Sequence, residues 1–264
     1  MLTAITRAVS PSLGDCELTY LPRQQIDVLK AREQHHAYEQ CLTELGVRVI
    51  RLPVEPDMPD AVFVEDTAVV VDEVAVMTRP GAVSRQREVE SVATALSAYR
   101  PLMFLRAPAT LDGGDVMRIG RTLYVGATAR TNREGIDQLR HLLKPYGYEV
   151  RIIKVRGCLH LKSGCSYVGR TTLLANRAWV EIGALEEFNV IDVHPTEPWA
   201  ANALLIGDTV VFPSGFPQTR RLLEERGFHV RTVDVSELQK AEAGVTCMSI
   251  IFESTAGTFS GRER

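Results

Sequence analysis

The chain has 264 residues, of which 45% are hydrophobic and 24% charged, and its formal net charge is −3. These values are typical of a soluble globular protein, and the absence of a basic stripe argues against a nucleic-acid partner. No apolar run approaches the ~20 residues that span a bilayer. The first residues lack the apolar segment of a signal peptide. We therefore expect a cytoplasmic protein with a single domain over residues 1–253 that binds neither nucleic acid nor membrane.

The N-terminal segment predicts a strand over Leu2–Val9 and then a loop over Ser10–Cys16. Pro11 and Gly14 favour a turn or a mobile loop. Leu13 is placed at its tip, where an exposed apolar side chain could close over a ligand. The alternative is an ordinary surface loop.

A unit of strand, strand, helix and strand recurs along the chain. Leu139–Val155 and Thr219–Val235 align without a gap, each as an amphipathic helix, a glycine at the helix end and a buried strand. Tyr38–Leu52 repeats this pattern around Gly46, and two further segments do so less closely, Glu90–Leu105 and Ala178–Val193. Five units with a period of roughly 40 to 50 residues predict an α/β ring of ββαβ modules.

Residues capable of chemistry occupy one position of each unit, just before the strand that opens it. Glu65 and Asp112 are 47 residues apart, and Asp112 and His160 are 48 apart. Asn202 and Cys247 continue the series. Because equivalent positions in a ring converge on its axis, we expect these side chains to share one central cavity.

The acidic segment Asp57–Val71 predicts a strand bearing Asp60, Glu65 and Asp66. Alternation along a strand directs Asp60 and Asp66 to one face and Glu65 to the other, unless a bulge intervenes. Acids at the end of an apolar strand need a cation, which is either a neighbouring arginine or a ligand.

Arg85 and Arg130 lie in matching loops of successive units, between a strand and a helix. The guanidinium fork suits planar oxyanions, so this pair predicts a grip on a carboxylate. Two unrelated surface arginines are the alternative.

The run Leu111–Val116 reads LDGGDV. Its two glycines allow a turn where a Cβ would clash, so that Asp112 points into a cavity while Asp115 starts the next strand. A hairpin turn with solvated acids is the alternative. For His160, which lies between leucines, the alternative is a satisfied core residue.

Five cysteines in a chain without an export signal argue against structural disulfides. Cys41 is expected to be a small core residue. The group Cys158, His160 and Cys165 lacks a fourth ligand at zinc-finger spacing, so no metal site is predicted. Cys247, in an apolar strand, is inert unless an imidazole or a bound cation stabilises its thiolate.

A thiol, an imidazole and several carboxylates in one cavity suit a cationic planar electrophile. Asp66 and Asp112 could hold a guanidinium while Cys247 attacks its central carbon. His160 would protonate the departing amine and then deprotonate water. Arg85 and Arg130 would bind the α-carboxylate of an arginine-like molecule. No cofactor is required.

Six motifs occur in order in a chain of this length: FVEDTAVV, TRPGAVSR, LDGGDV, YVG with RTN, LHLKS and VTC with S. They resemble those of the dimethylarginine dimethylaminohydrolases, members of the pentein superfamily with its five-bladed ββαβ propeller. The resemblance implies hydrolysis of Nω-methylated arginine to citrulline and methylamine or dimethylamine. It also implies Cys247 as nucleophile, His160 as proton donor and general base, and Asp112 as the orienting acid. The implied binding residues are Leu13, Asp60, Glu65, Asp66, Arg85, Arg130 and Ala241.

Two other functions stay open at this point. Arginine deiminase or another amidinohydrolase on the same fold would accept arginine in place of its methylated form. A non-catalytic pentein binding protein would need none of this chemistry. The resemblance is compatible with a homodimer, and the tail over residues 254–264, rich in glycine, serine and charge, is expected to be disordered.

Overall fold

Each repeat folds as a small three-stranded sheet. The computed structural model describes residues 1–254, and within them five such sheets surround a common axis. In each sheet the inner strand pairs antiparallel with the middle strand, and the middle strand pairs parallel with the outer one. The predicted five-bladed ββαβ propeller is confirmed.

The first sheet combines the two ends of the described chain. It contains β1 (Leu2–Arg7), β2 (Arg48–Leu52) and the last strand, β15 (Ile250–Glu253). The other sheets take three consecutive strands each, namely β3 (Ala68–Val70), β4 (Ala75–Met77), β5 (Leu102–Phe104), β6 (Val116–Ile119), β7 (Thr122–Ala127), β8 (Glu149–Lys154), β9 (Cys165–Gly169), β10 (Thr172–Ala175), β11 (Asn189–Asp192), β12 (Leu204–Ile206), β13 (Thr209–Pro213) and β14 (His229–Val233).

Antiparallel pairing of β15 with β1 closes the ring. The amino group of Met1 donates to the carbonyl of Ser254 at 2.9 Å, and the Thr3 and Ser254 hydroxyls are 2.8 Å apart. Ser254 is therefore part of the closure rather than of the predicted tail. The rest of that tail, residues 255–264, lies outside the described residues.

Helices connect the strands of the sheets. They are α1 (Val28–Glu44), α2 (Val89–Leu96), α3 (Arg133–Leu143), α4 (Leu161–Gly164), α5 (Pro217–Glu225) and α6 (Ser236–Gln239). The Asp27 carboxylate caps α1 by accepting from the Lys30 N–H at 3.1 Å. Gly46, Gly147 and Gly227 end the first, third and fifth helical segments at φ values of 83°, 76° and 78°, as their sequence positions predict.

The fourth sheet departs from the predicted repeat. Between β10 and β11 the structure has only a 3₁₀ turn, Ile182–Leu185, so the helix predicted within Ala178–Val193 is wrong. Val180 forms an isolated bridge to Val155, which commits the start of this segment to an extended backbone. The residues that remain before Asn189 are too few for several helical turns.

The inner strands of the five sheets, β3, β6, β9, β12 and β15, line a channel along the axis. Short segments precede these strands, and they carry the chemically active residues predicted from the spacing. Among residues 1–254, no helix combines the length and the apolar character needed to cross a membrane.

Candidate active site

One narrow cavity, called here the site cavity, collects most of the predicted site residues. Its empty volume is about 310 Å³, and its wall includes Asp60, Asp66, Arg85, Arg130, His160, Ala241 and Cys247. Asp112 lies behind His160 and is fully buried. Residues far apart in sequence are therefore neighbours, as the ring predicts.

His160 lies between two carboxylates. Its Nε2 is 2.9 Å from Asp112 Oδ2, and its Nδ1 is 3.9 Å from Asp66 Oδ1. Burial by itself lowers the pKa of His160, but the charge of Asp66 and the hydrogen bond to Asp112 outweigh it and raise the pKa to about 9. At neutral pH this histidine is an imidazolium, ready to donate a proton, rather than a neutral core residue.

The glycine pair in LDGGDV permits this close approach. A Cβ on Gly114 would lie 2.5 Å from His160 Nδ1, and one on Gly113 would overlap the carbonyl oxygen of Glu65. The Gly114 N–H donates to Asp66 Oδ1 at 2.9 Å. The run forms a 3₁₀ turn, Gly113–Asp115, with fully buried acids on either side, so the hairpin with solvated acids is excluded.

Asp115 has a role that the sequence did not reveal. Its carboxylate accepts from the hydroxyls of Thr128 and Thr131, both at 2.6 Å, and from the Leu161 N–H at 2.9 Å. Burial raises the pKa of Asp115 to about 6. Because Leu161 follows His160, this carboxylate fixes the backbone that carries the imidazolium.

Cys247 lies in a turn before β15, not within a strand as predicted. Its sulfur accepts from the Gly244 N–H at 3.3 Å, and its carbonyl accepts from the Glu65 N–H at 3.2 Å. Burial raises the pKa of the Cys247 thiol to about 12, and the charges of Glu65 and Asp66 add to the shift. The thiol is therefore neutral unless a cation lies beside it.

Arg85 is buried among acids of its own chain. Its guanidinium donates to Asp66 at 2.6 Å, to Glu88 at 2.8 Å and to the Phe63 carbonyl at 3.1 Å. Arg85 is thus the cation that the acidic segment requires, and these contacts leave it poorly placed for the predicted α-carboxylate. Although burial raises it, the charges of His160 and Arg85 lower the pKa of Asp66 to about 2.

Arg130 differs from Arg85 in having an unused donor. Its Nη2 donates to the Thr19 hydroxyl at 3.3 Å, whereas its buried Nη1 has no hydrogen-bond partner and is 3.9 Å from Asp112 Oδ2. An unpaired buried donor costs about 1–3 kcal/mol. The cavity therefore offers one cationic donor for an oxygen that a ligand would bring.

Three potential ligand atoms for a metal, from Asp66, Asp112 and His160, lie within 4.8 Å of one another. The acids already have partners, since Asp66 binds Arg85 and Gly114, and Asp112 binds His160 and the Gly81 N–H at 2.8 Å. A metal would also require His160 without its proton. The arrangement fits a hydrogen-bonded imidazolium better than a metal centre.

The arrangement of these residues can be compared with known proteins. A family model described as "N,N dimethylarginine dimethylhydrolase, eukaryotic" matches residues 21–175. The N(G),N(G)-dimethylarginine dimethylaminohydrolase of Pseudomonas aeruginosa is 37% identical over 250 residues, covering 94% of this chain and 98% of the relative. The chain belongs to the dimethylarginine dimethylaminohydrolase family. The protein of the same name in Streptomyces coelicolor is 36% identical over 248 residues, covering 94% and 95% of the two chains.

A solved structure of the Pseudomonas aeruginosa dimethylarginine dimethylaminohydrolase, a cysteine-to-serine mutant complexed with citrulline, has a TM-score of 0.90 at 35% identity and covers 95% of this chain and 98% of its own. A histidine-to-glycine variant, as an adduct with S-methyl-L-thiocitrulline, gives the same TM-score and identity over 95% and 99% of the two chains. The chain is therefore an amidinohydrolase of the pentein fold.

Two residues that the resemblance assigned to binding lie elsewhere in this dimethylarginine dimethylaminohydrolase family member. Leu13 is fully buried and packs in the core near Phe63, so it is not an exposed lid residue. Ser10 and Ser12 explain its place, because their hydroxyls donate to the Glu55 and Pro56 carbonyls and draw the loop inwards. The loop residue that lines the site cavity is Glu17.

Glu65 faces away from the site cavity, as strand alternation predicted, although its segment is a 3₁₀ turn, Val64–Thr67, rather than a strand. The carboxylate of Glu65 pairs with Lys162 and accepts from the Thr246 hydroxyl at 2.9 Å. Asn202 in turn donates to that hydroxyl at 3.0 Å. The sequence around Lys162 does not indicate a role for it, because only the ring brings it beside Glu65.

A loop over the site cavity is tied down at several points. The Glu17 N–H donates to Asp60 Oδ2 at 3.0 Å, and the Glu242 carboxylate accepts from the backbone N–H groups of Thr19, Tyr20 and Leu21. Glu242 has a φ of 59°, which directs its backbone between two residues of the cavity wall, Ala241 and Ala243. The sequence around it gave no signal of this role.

Proposed function

We propose that the protein hydrolyses Nω-methylated arginine, both asymmetric dimethylarginine and monomethylarginine, to citrulline and dimethylamine or methylamine. The observation that carries the proposal is the meeting of a thiol, an imidazolium and a pair of buried carboxylates in one cavity. Among the described residues the Asp60 carboxylate in this cavity has no ion-pair partner, and a guanidinium supplies one. The family of the chain and the citrulline complex of its relative support this substrate class.

Binding places the guanidinium beside Asp60 and Asp66 and its carbon against the sulfur of Cys247. Burial raises the pKa of Asp60, so a cation is needed to hold that carboxyl in its charged form. The free Nη1 donor of Arg130 takes the α-carboxylate at the other end. The backbone of Ala241 lies in the wall and binds the amino-acid end of the substrate.

Substrate binding also activates the nucleophile. The thiol is neutral because burial and two carboxylates disfavour a thiolate, and an adjacent guanidinium reverses that balance. The thiol proton passes to solvent water as the cation enters, because His160 already carries its own proton. The thiolate then adds to the guanidinium carbon and forms the C–S bond.

His160 handles the remaining protons. The imidazolium donates its proton to the substituted nitrogen, the C–N bond breaks and the amine leaves, which produces a covalent thiouronium on Cys247. The neutral His160 then takes a proton from water, the oxygen adds to the carbon, and the C–S bond breaks. The proton left on the added oxygen passes to the departing sulfur, so citrulline, the Cys247 thiol and the His160 imidazolium result. Asp112 and Asp66 stabilise the imidazolium in both halves.

Product analysis tests the proposal. The purified chain is incubated with asymmetric dimethylarginine, monomethylarginine or arginine, and citrulline and the released amine are measured. We expect citrulline with an equal amount of methylated amine, and turnover of arginine that is slower. Faster turnover of arginine would make the protein an arginine deiminase.

The Cys247→Ser variant is the matched control. It should bind the methylated substrate with an affinity close to that of the wild type and form no citrulline, because the hydroxyl is a much weaker nucleophile. Unchanged turnover would contradict a thiol mechanism.

A further inference from the structure

The propeller has a second cavity, called here the axial channel, on the other side of the catalytic residues. The inner strands line it, and its empty volume is about 1180 Å³, including open solvent at its mouth. Val70, Leu205 and Ile251 are partly exposed along its wall, and the exposed Arg118 stands at its mouth. The channel therefore reaches solvent independently of the site cavity.

A wall only one residue thick separates the two cavities. Glu65, Lys162 and Thr246 line the axial channel, whereas Asp66, His160 and Cys247, their close neighbours in sequence, line the site cavity. We call the three channel residues the floor. The Glu65–Lys162 ion pair spans the floor, the Thr246 hydroxyl donates to Glu65, and Asn202 holds Thr246 and the Lys162 carbonyl.

The floor is in contact with solvent from the channel side. The side chains of Lys162 and Glu65 are 15% and 12% exposed, against 4% for His160 and none for Asp112. A lysine side chain has four flexible torsions, so Lys162 can leave Glu65 and extend into the wide channel without moving the backbone. The Glu65–Lys162 pair is thus more exposed than the catalytic groups beside it.

The proposed reaction, on which this inference rests, creates a need for exchange at this depth. An amine must leave and a water must arrive while the rest of the substrate is still bound to Cys247. The front is then occupied by the amino-acid end and covered by the loop that Asp60 and Glu242 hold. Exchange through the front would require release of that loop in mid-reaction.

We propose that the axial channel is the route by which the small alkylamine leaves and the hydrolytic water enters, with the Glu65–Lys162 pair as its gate. The released neutral amine takes up a proton from solvent in the channel. The Glu65 carboxylate attracts the resulting alkylammonium and exchanges one cationic partner for another, so the floor keeps its charge balance. At the mouth, Arg118 is paired with Asp72 at 2.7 Å, which offsets its repulsion of a departing cation. The hydroxyls of Ser166, Thr246 and Ser249 along the wall offer hydrogen bonds to water.

Narrowing the channel far from the catalytic groups tests the route. Leu205→Trp and Val70→Trp each place an indole in the channel, while Leu205→Ala and Val70→Ala widen it at the same positions. Leu29→Trp on α1, where the side chain is 69% exposed, is the control for the indole itself. The measurements are kcat and KM for asymmetric dimethylarginine, the thermal midpoint, and the covalent adduct on Cys247 after rapid acid quenching.

For the two narrowing variants we expect kcat to fall by about tenfold, as for a release-limited enzyme, with an unchanged rate of adduct formation and a larger fraction of covalent enzyme in the steady state. The widening variants and Leu29→Trp should behave like the wild type. A folded narrowing variant with wild-type kcat, or one whose adduct forms as slowly as it decays, would overturn the route. If the tryptophan at one of the two positions prevents folding, the narrowing variant at the other position provides the test. Failure of the wild type to form citrulline would instead overturn the proposed function.

Discussion

Two buried histidines in this protein have pKa values that are shifted in opposite directions. His160 lies between Asp66 and Asp112 and has its pKa raised to about 9. His35, on α1, is equally buried, but burial and the positive charges of Arg51 and His36 lower its pKa to about 3. Its one acidic neighbour, Glu39, is 3.7 Å away and is already bound to Arg51. Burial alone therefore makes a neutral histidine, whereas two carboxylates beside the ring, one of them hydrogen-bonded to it, make a proton donor.

The largest expected difference in kcat is between a variant that lacks the imidazole ring of His160 and one that lacks the ring of His35. His160→Gln should lower kcat by about 10³-fold, because the leaving amine loses its proton donor. His35→Gln should leave kcat within about twofold of the wild type, since His35 lies in the packing of α1 and outside the site cavity. Steady-state kinetics of the two variants measures this difference in kcat. Similar losses of kcat in both variants would show that the two histidines do not differ in function.

A smaller loss of kcat is expected when the carboxylate beside His160 is replaced. Asp112→Asn keeps the shape but removes a charge that holds the proton on His160, so kcat should fall by about 100-fold. The basic limb of the pH–rate profile should move to lower pH, because the imidazolium loses its proton more readily. Glu39→Gln is the matched control at His35 and should leave the profile in place. A basic limb that does not move in Asp112→Asn would assign it to another group.

A third carboxyl group, that of Asp115, contacts the backbone next to His160 and can be tested in the same way. Asp115→Asn should lower kcat by about tenfold with little change in KM, because it loosens the backbone before His160 without touching the substrate. The charge of Asp115 also helps to raise the pKa of His160, so the pH–rate profile of the variant is needed to separate positioning from charge. If its basic limb moves as far as in Asp112→Asn, the effect of Asp115 is electrostatic instead.

The smallest effect is on stability, and its sign differs between the two rings. The raised pKa of His160 stabilises the fold fully below the unfolded value near 6.5, and this contribution is lost as pH rises from there through about 9. The lowered pKa of His35 destabilises the fold as pH falls from about 6.5 towards 3, because the unfolded chain takes up a proton that the folded one excludes. Urea unfolding at a series of pH values should show the alkaline loss reduced in His160→Gln and the acid loss reduced in His35→Gln.

Much of this arrangement is predictable from the sequence because it follows from periodicity. The regular spacing of Asp112, His160, Asn202 and Cys247, with steps of 48, 42 and 45 residues, places them before the inner strands, whatever the details of each sheet. The roles of the glycines at helix ends and in LDGGDV are also predictable from the sequence, because each glycine meets a local steric requirement.

The contacts that were not predictable are made between different parts of the ring. Arg85 binds Asp66 and Glu88 rather than facing a ligand, and Lys162 reaches Glu65 across the axis. No local pattern identifies these pairs, because each depends on which acids the fold buries nearby. The prediction that Leu13 is an exposed lid residue was wrong for a related reason, because hydrogen bonds from the Ser10 and Ser12 hydroxyls determine its burial.

The covalent step can be observed directly. Enzyme mixed with asymmetric dimethylarginine and quenched in acid within one turnover should carry an added substrate-derived amidine on the peptide that contains Cys247, as found by mass spectrometry. His160→Gln should form less of this adduct because the amine departs poorly. Citrulline production by the wild type with no adduct on Cys247, or with an adduct on another residue, would contradict the account.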